Sequence, residues 1–170
     1  MECRAEYVSP LGTLTLISDG GALTALFFRG KRRADPAVRP VPLGADPVFR
    51  RTARWLDLYF SGRDPGFTPD LQIRGTEFQR EVCRLMLEIP FGRTVTYGRL
   101  AAQIATRRGL ARMSAQAVGG AVGANPIALI IPCHRVIGKN GNLTGYGGGL
   151  DRKAKLLELE GIRRETFFFP

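Results

Sequence analysis

Up to residue 28 the apolar positions come in short runs: Ala5-Glu6-Tyr7-Val8, Leu14-Thr15-Leu16-Ile17 and Leu23-Thr24-Ala25-Leu26-Phe27-Phe28. Turn signals separate them, Ser9-Pro10-Leu11-Gly12 and then Asp19-Gly20-Gly21. Apolar and β-branched runs punctuated in this way predict an antiparallel meander. Residues 29–42 are basic and contain proline, so they read as a solvated loop. From Asp46 the apolar period lengthens. Asp46-Pro47 is an N-cap acid followed by a first-turn proline. Val48, Thr52, Trp55, Leu56, Tyr59 and Phe60 then fall on one helix face, and Ser61-Gly62 ends the helix. This aromatic stripe is core packing against the meander. Residues 66–75 are a second break with a short strand near Leu71-Gln72-Ile73. The domain boundary is placed there, giving residues 1–74 and 75–170.

In the second half, Thr76 is placed to cap a helix that buries Phe78, Val82, Leu85 and Met86 and stops at Pro90-Phe91-Gly92. Cys83 adjoins that face and reads as structural. Thr96 caps a further helix, where Leu100 and Ile104 repeat at helical spacing. The connector 106–113 holds Arg107, Arg108, Gly109 and Arg112, after which Ser114 caps residues 115–123. A helix, a basic glycine-containing turn and a second short helix form a helix-turn-helix pattern. The second helix is nearly all small residues, although each interior glycine costs about 1 kcal/mol against alanine. That composition implies close approach to another helix or to a nucleic-acid backbone. Gln116 is its one sizeable polar side chain. Further on, residues 138–142 form a turn, and residues 143–150 are glycine-rich around Tyr146. No Lys-Ser/Thr follows these glycines, so the loop lines a pocket and is not a phosphate loop. Asp151 is expected to cap a last helix, with Leu156, Leu157 and Glu160 on overlapping faces and Gly161 closing it. Arg163-Arg164 and Phe167-Phe168-Phe169 make a tail.

The stretch 125–136, NPIALIIPCHRV, joins these parts. Its apolar run 127–131 reads as a buried strand that delivers a thiol, an imidazole and a guanidinium at one point, Cys133-His134-Arg135. His134 is the only histidine. A thiol is a strong nucleophile only as thiolate, and cationic neighbours favour that form. On spacing alone, Cys133 reads equally well as a small core residue.

Composition narrows the class. With 44% hydrophobic and 24% charged residues in 170, the chain can bury a sizeable core. The net charge of +10 favours an anionic partner, nucleic acid first. Three cysteines without zinc spacing fit a reducing compartment and predict no metal site. No apolar run approaches the ~20 residues of a membrane span. The first residues, MECRAEYVSPLG, show no apolar signal segment. The cytoplasm is therefore the expected location.

Taken together, Pro132-Cys133-His134-Arg135-Val136, Asn125-Pro126 before it, Tyr97 where the helix-turn-helix begins, and the glycine-rich loop followed by Glu160 resemble the O6-alkylguanine-DNA alkyltransferases. The resemblance covers about residues 78–161. The amino-terminal part matches in layout only. It implies an α+β protein, with a small ribonuclease-H-like amino-terminal α/β domain followed by a mostly helical, winged-helix-like helix-turn-helix domain. It also implies a DNA-repair methyltransferase without cofactor that works as a monomer on the minor groove of duplex DNA. O6-alkylguanine would be rotated out of the stack and its alkyl group moved to Cys133. The reaction would be stoichiometric and suicidal, because no easy route removes an alkyl group from a thioether.

The roles implied are these. Cys133 attacks as thiolate, His134 takes the thiol proton through a water, and Glu160 holds the imidazole. Tyr97 donates to the guanine, and Asn125 fixes the turn between recognition helix and active-site strand. Backbone carbonyls at Cys133 and Val136 read the exocyclic amine, with Tyr146 and Gly147 lining the pocket. Arg135 is structural or electrostatic. Ser114, Ala115, Gln116, Arg112 and Lys139 face DNA. The chain departs from the family pattern at Gln116, which stands where many members carry an arginine that fills the gap left by the flipped base; Gln116, the favoured residue, or Arg112 takes that place, or the flipped state is held less well. Gly147 replaces a hydroxyl residue found in some members, and Cys3 alone cannot make the amino-terminal zinc site of others. A DNA-binding sensor and a thiol hydrolase are the competing classes. The first is disfavoured by the presence of Cys133. The second is disfavoured because neighbours in sequence rarely form such a site by themselves.

Overall fold

The computed structural model describes all residues, Met1–Pro170. Contacts divide the chain into two units. The first comprises Met1–Arg74 with Pro126–Ala128, the second Gly75–Asn125 with Leu129–Pro170.

In the first unit, β1 (Cys3–Ser9), β2 (Gly12–Ser18) and β3 (Leu23–Phe28) form the antiparallel meander. The sheet order is β3-β2-β1-β4, and β4 (Arg39–Pro40) pairs parallel to Cys3 and Arg4. Residues 29–42 are thus not all loop, because two of them extend the sheet. The expected strand at Leu71–Ile73 reduces to one bridge, Leu23 to Leu71. Helix α1 (Pro47–Phe60) is capped by Asp46, whose Oδ1 accepts from the Val48 N–H at 2.7 Å. Its buried residues Val48, Phe49, Thr52, Trp55, Leu56 and Tyr59 recur at helical spacing, and it packs across β1, β2 and β3. Leu14, Leu16, Leu26 and Leu56 are fully buried, each contributing about 1.5–3 kcal/mol by leaving water. Ile17, Ala25 and Phe27 make a second cluster with Val38, and Arg32 lies over the Phe27 ring at 5.1 Å.

In the second unit, α2 (Glu77–Leu87) opens with a reciprocal capping box between Thr76 and Gln79. Thr96 caps α3 (Tyr97–Arg108) and Ser114 caps α4 (Ala115–Gly123), as the hydroxyl positions predict. These three helices pack on one another around Val82, Leu85, Met86, Leu100, Ile104, Val118 and Val122, all buried. A two-stranded parallel ladder joins β5 (Val95–Thr96) to β6 (Val136–Ile137). It sets the start of α3 beside the end of the Pro-Cys-His-Arg turn. Helix α5 (Leu150–Leu159) follows Gly149, which occupies the N-cap position without a side-chain cap. Asp151 therefore sits in the first turn and is not the cap. The tail docks: Phe167 is buried with Ile137, Leu143, Ala154 and Leu157. Phe168 exchanges backbone bonds with Gly141 and Leu143 at 2.9 and 2.8 Å. At Gly141 a Cβ would collide with Thr166 O.

The apolar run 127–131 is buried but is not a strand. Proline at both ends, Pro126 and Pro132, restricts it. Leu129 adopts the left-handed region at φ 69°, which breaks an extended path. Only Leu26 with Ile127 forms a bridge, where the Leu26 N–H donates to Pro126 O at 3.0 Å and the Ala128 N–H donates to Leu26 O at 2.8 Å. These bonds place Pro126–Ala128 with the first unit, although the expected boundary put them in the second.

Candidate active site

The thiol is presented by two tight turns. Pro132 at φ −83°, ψ 66° makes an inverse γ-turn, closed by the Cys133 N–H donating to Ile131 O at 2.8 Å. A single 3₁₀ turn, Cys133–Arg135, follows, with the Arg135 N–H donating to Pro132 O at 2.9 Å. Asn125, just after α4, braces this path, and its Nδ2 donates to Ile131 O at 2.8 Å in a buried setting. Cys133 is 6% exposed and His134 fully buried.

Behind the thiol lies a buried ion cluster. His134 Nε2 and Glu160 Oε1 are 2.6 Å apart. With Nε2–H donating, Nδ1 is the basic nitrogen of the neutral ring. Arg135 approaches the same carboxylate, Nε at 2.9 Å from Oε2 and Nη2 at 3.0 Å from Oε1, while Nη1 donates to Ile89 O at 2.7 Å. The Gly92 N–H donates to Glu160 Oε2 at 3.0 Å. Burial pushes the Glu160 carboxyl up in pKa, but His134 and Arg135 more than reverse this and hold it at about 2. For His134, burial lowers proton affinity, Glu160 raises it, and Arg135 and Lys153 lower it further. The net result lies below the ordinary histidine value. The imidazole is thus neutral at neutral pH.

Around the thiol, the Tyr97 hydroxyl donates to Thr144 O at 3.1 Å. Burial raises its pKa, so the phenol stays protonated and able to donate. Gly119 of α4 faces the Tyr97 ring, where a Cβ would stand 3.8 Å from Cδ1. The Tyr146 hydroxyl is buried without a hydrogen-bond partner, and burial lifts its pKa well above 10. Gly147 is exposed, and Val136 is fully buried. Ser114, Ala115, Gln116, Arg112 and Lys139 are all exposed, the first four at the start of α4 or in the turn before it. Of the expected site residues, the structure buries Cys133, His134, Glu160, Asn125 and Val136, with Arg135 among them, and leaves the expected DNA-facing residues exposed.

Two family models match the chain. One, described as the ribonuclease-like domain of 6-O-methylguanine DNA methyltransferase, covers residues 4–73; the other, its DNA binding domain, covers residues 77–162. The chain belongs to the 6-O-methylguanine DNA methyltransferase family. It is 46% identical over 156 residues to the methylated-DNA–protein-cysteine methyltransferase of Mycobacterium tuberculosis, spanning 91% of this chain and 90% of that protein. The protein of that name from Methanosarcina acetivorans is 42% identical over 158 residues, 92% of this chain and 97% of its own. Among solved structures, the M. tuberculosis OGT in complex with DNA matches with TM-score 0.82 at 43% identity, covering 96% of this chain and 94% of that one.

The sequence reading missed Lys153. It is fully buried, and its Nζ donates to Val136 O at 2.7 Å, Thr144 O at 3.0 Å and Gly145 O at 3.3 Å. It ties α5 to the end of β6 and to the loop that holds Tyr97. Burial brings its pKa down to about 8, while the charge of Cys133 acts the other way. The signal was in the sequence: Lys153, Leu156, Leu157 and Glu160 are spaced i, i+3, i+4 and i+7, so both charged residues lie on the apolar stripe.

Proposed function

We propose that the protein repairs duplex DNA by moving the alkyl group of O6-alkylguanine onto Cys133, irreversibly and once per molecule, after the base has left the stack. It works as a monomer from the minor groove, in the cytoplasm. The observation that carries this reading is the buried set Cys133, His134 and Glu160 beside the phenol of Tyr97. It follows the nucleophile–base–orienter logic of acyl-transfer triads. The thiol proton passes through a water to His134, supported by Glu160. The thiolate then attacks the alkyl carbon, forming a C–S bond as the C–O6 bond breaks. Tyr97 donates to the departing guanine, which ends with the proton the thiol gave up. A thiolate cannot reach that carbon inside a base stack, so the base must rotate out. Backbone carbonyls at Cys133 and Val136 would then meet the exocyclic amine, with Tyr146 and Gly147 lining the pocket. Asn125 keeps the turn to the thiol fixed.

The DNA face in this proposal is the start of α4 with Arg112, Ser114, Ala115, Gln116 and Lys139. Gln116 fills the gap in the stack. Charge supports the location: the second unit holds fourteen Lys and Arg against seven Asp and Glu. The glycines of α4 support it too. Gly120 and Gly123 face open space, so no packing within the protein requires them. Gly120→Ala is expected to raise stability by about 1 kcal/mol. Gly120→Leu is expected to weaken duplex binding while leaving reaction with the free base O6-benzylguanine unchanged. Thermal unfolding and DNA titration measure the two; equal duplex affinity in the leucine variant would remove α4 from the interface.

The test of the function is intact-mass measurement after incubation with duplex DNA containing O6-methylguanine. The protein should gain one methyl group, located on the Cys133 peptide, and Cys133→Ala should gain none. Binding without a gain in mass would refute the proposal.

A further inference from the structure

Glu160 is shared between an imidazole and a permanently charged guanidinium. Oε1 lies 2.6 Å from His134 Nε2 and 3.0 Å from Arg135 Nη2, and Oε2 accepts from Arg135 Nε at 2.9 Å. All three side chains are at least nine-tenths buried. A carboxylate facing an imidazole alone in such a dry site would draw a proton onto the ring, because the charged pair compensates itself. An imidazole that already carries its proton cannot accept one from a thiol. Here the carboxylate is compensated by the guanidinium instead.

We propose that Arg135 is a positioning residue for alkyl transfer: by taking its share of Glu160 it leaves His134 a hydrogen-bond partner without an unbalanced counter-charge, so the ring rests neutral and ready to accept the thiol proton. The inference rests on the proposed role of His134 as base. The charged groups bearing on the ring are Glu160 just after α5, Lys153 on α5 and Arg135 in its own turn. Glu160 alone favours the protonated ring, and the two cations oppose it. The fork geometry is what allows the sharing. One guanidinium meets both carboxylate oxygens while its Nη1 reaches Ile89 O at 2.7 Å, and Cζ sits 5.7 Å from the centre of the Phe91 ring. A lysine ammonium is a point charge and does not match a carboxylate in this bidentate way.

The single histidine makes the test direct, since the chain has one imidazole resonance. The ring is titrated by NMR in the native protein, in Arg135→Met and in Arg135→Gln, the last keeping a neutral donor toward Glu160. Folding is checked by circular dichroism, and Arg135→Gln decides if Arg135→Met does not fold. The midpoint should rise by about one pH unit or more once the guanidinium charge is gone. In Arg135→Lys, which keeps the charge, it should rise less. An unchanged midpoint in folded Arg135→Gln overturns the proposal, as does a lysine variant that shifts equally far. The rate of Cys133 alkylation by O6-benzylguanine is followed over the same pH range. A shifted ring with an unmoved acid limb shows that Arg135 sets the ring's protonation but refutes His134 as the base and with it the role in alkyl transfer, whereas an unshifted ring refutes the Arg135 step alone, so the two failures are distinguishable.

Discussion

Glu160→Ala is expected to bring the protein close to unfolding at neutral pH and to remove most of its alkyl transfer. The carboxylate accepts from His134, from both sides of the Arg135 fork and from the Gly92 N–H. Its loss leaves a buried guanidinium without a counter-charge, and breaking such a pair costs about 3–5 kcal/mol. The net stability of a domain is only about 5–15 kcal/mol. Glu160→Gln keeps the shape and loses the charge, so it is the variant for kinetics. With the base no longer oriented, its single-turnover rate should fall about 10²–10⁴-fold. The pH dependence gives a second readout. The folded carboxyl sits at about 2 against an ordinary 4.5, so its contribution is complete above 4.5 and is lost as pH falls through about 2. Its size is on the order of 3 kcal/mol. His134, also depressed on folding, loses its contribution in the same acid direction, beginning below its ordinary 6.5. Urea unfolding of Glu160→Gln between pH 5 and 2 should therefore show a flatter decline than the native protein. A decline just as steep would mean that the carboxylate is not held by its two partners in solution.

Much of this site was legible because side chains carry it. Adjacent Cys133 and His134, a lone histidine and an acid at the end of an amphipathic helix are visible as letters. The caps Asp46, Thr76, Thr96 and Ser114 were legible for the same reason: each hydroxyl or carboxyl serves a backbone N–H two or three residues on. What escaped is set by backbone or by tertiary contact. The run 127–131 has strand composition, yet Leu129 turns left-handed between two prolines and the bonds of Pro126 and Ala128 go to Leu26. Asp151 is a good capping residue two positions late, since the helix begins at Leu150 after Gly149. Ile89 O and the Gly92 N–H, which complete the ion cluster, belong to residues whose side chains say nothing about it. Lys153 was overlooked because a lysine within a basic, helical stretch reads as solvated until its place on the Leu156–Leu157 stripe is counted.

The glycines of α4 divide by cause. Gly119 lies against the Tyr97 ring, where a Cβ would make ordinary van der Waals contact at 3.8 Å. Gly120 and Gly123 meet nothing within the protein, and the interior Gly120 keeps a cost of about 1 kcal/mol without a folded-state contact to offset it. One short helix thus packs against the Tyr97 ring on one side and leaves a nearly featureless surface on the other. Such a surface suits a narrow groove, where bulk is a greater liability than lost contact area.

Transfer should stop at one alkyl group per protein molecule. Attack by Cys133 turns a thiolate into a thioether, and a thiolate is too poor a leaving group for water to displace from saturated carbon. Release would need a second nucleophile, and the interior offers none in a reactive state. Cys83 is buried, and desolvation followed by the charge of Cys133 raises its thiol to about 12, so it is not ionised at neutral pH. Lys153 Nζ is engaged with three carbonyl oxygens. Tyr97 and Tyr146 are both raised in pKa by burial and stay neutral phenols. The expected experiment mixes increasing amounts of O6-methylguanine duplex with a fixed amount of protein and counts methyl groups removed. The curve should rise linearly and break at one equivalent, with no slow phase after it. Protein recovered after the break should carry its methyl group on Cys133 and remain inert to fresh substrate. A product yield that climbs past one equivalent would show that an internal acceptor relieves the thioether, and Cys83→Ala would then identify whether that acceptor is the second buried thiol.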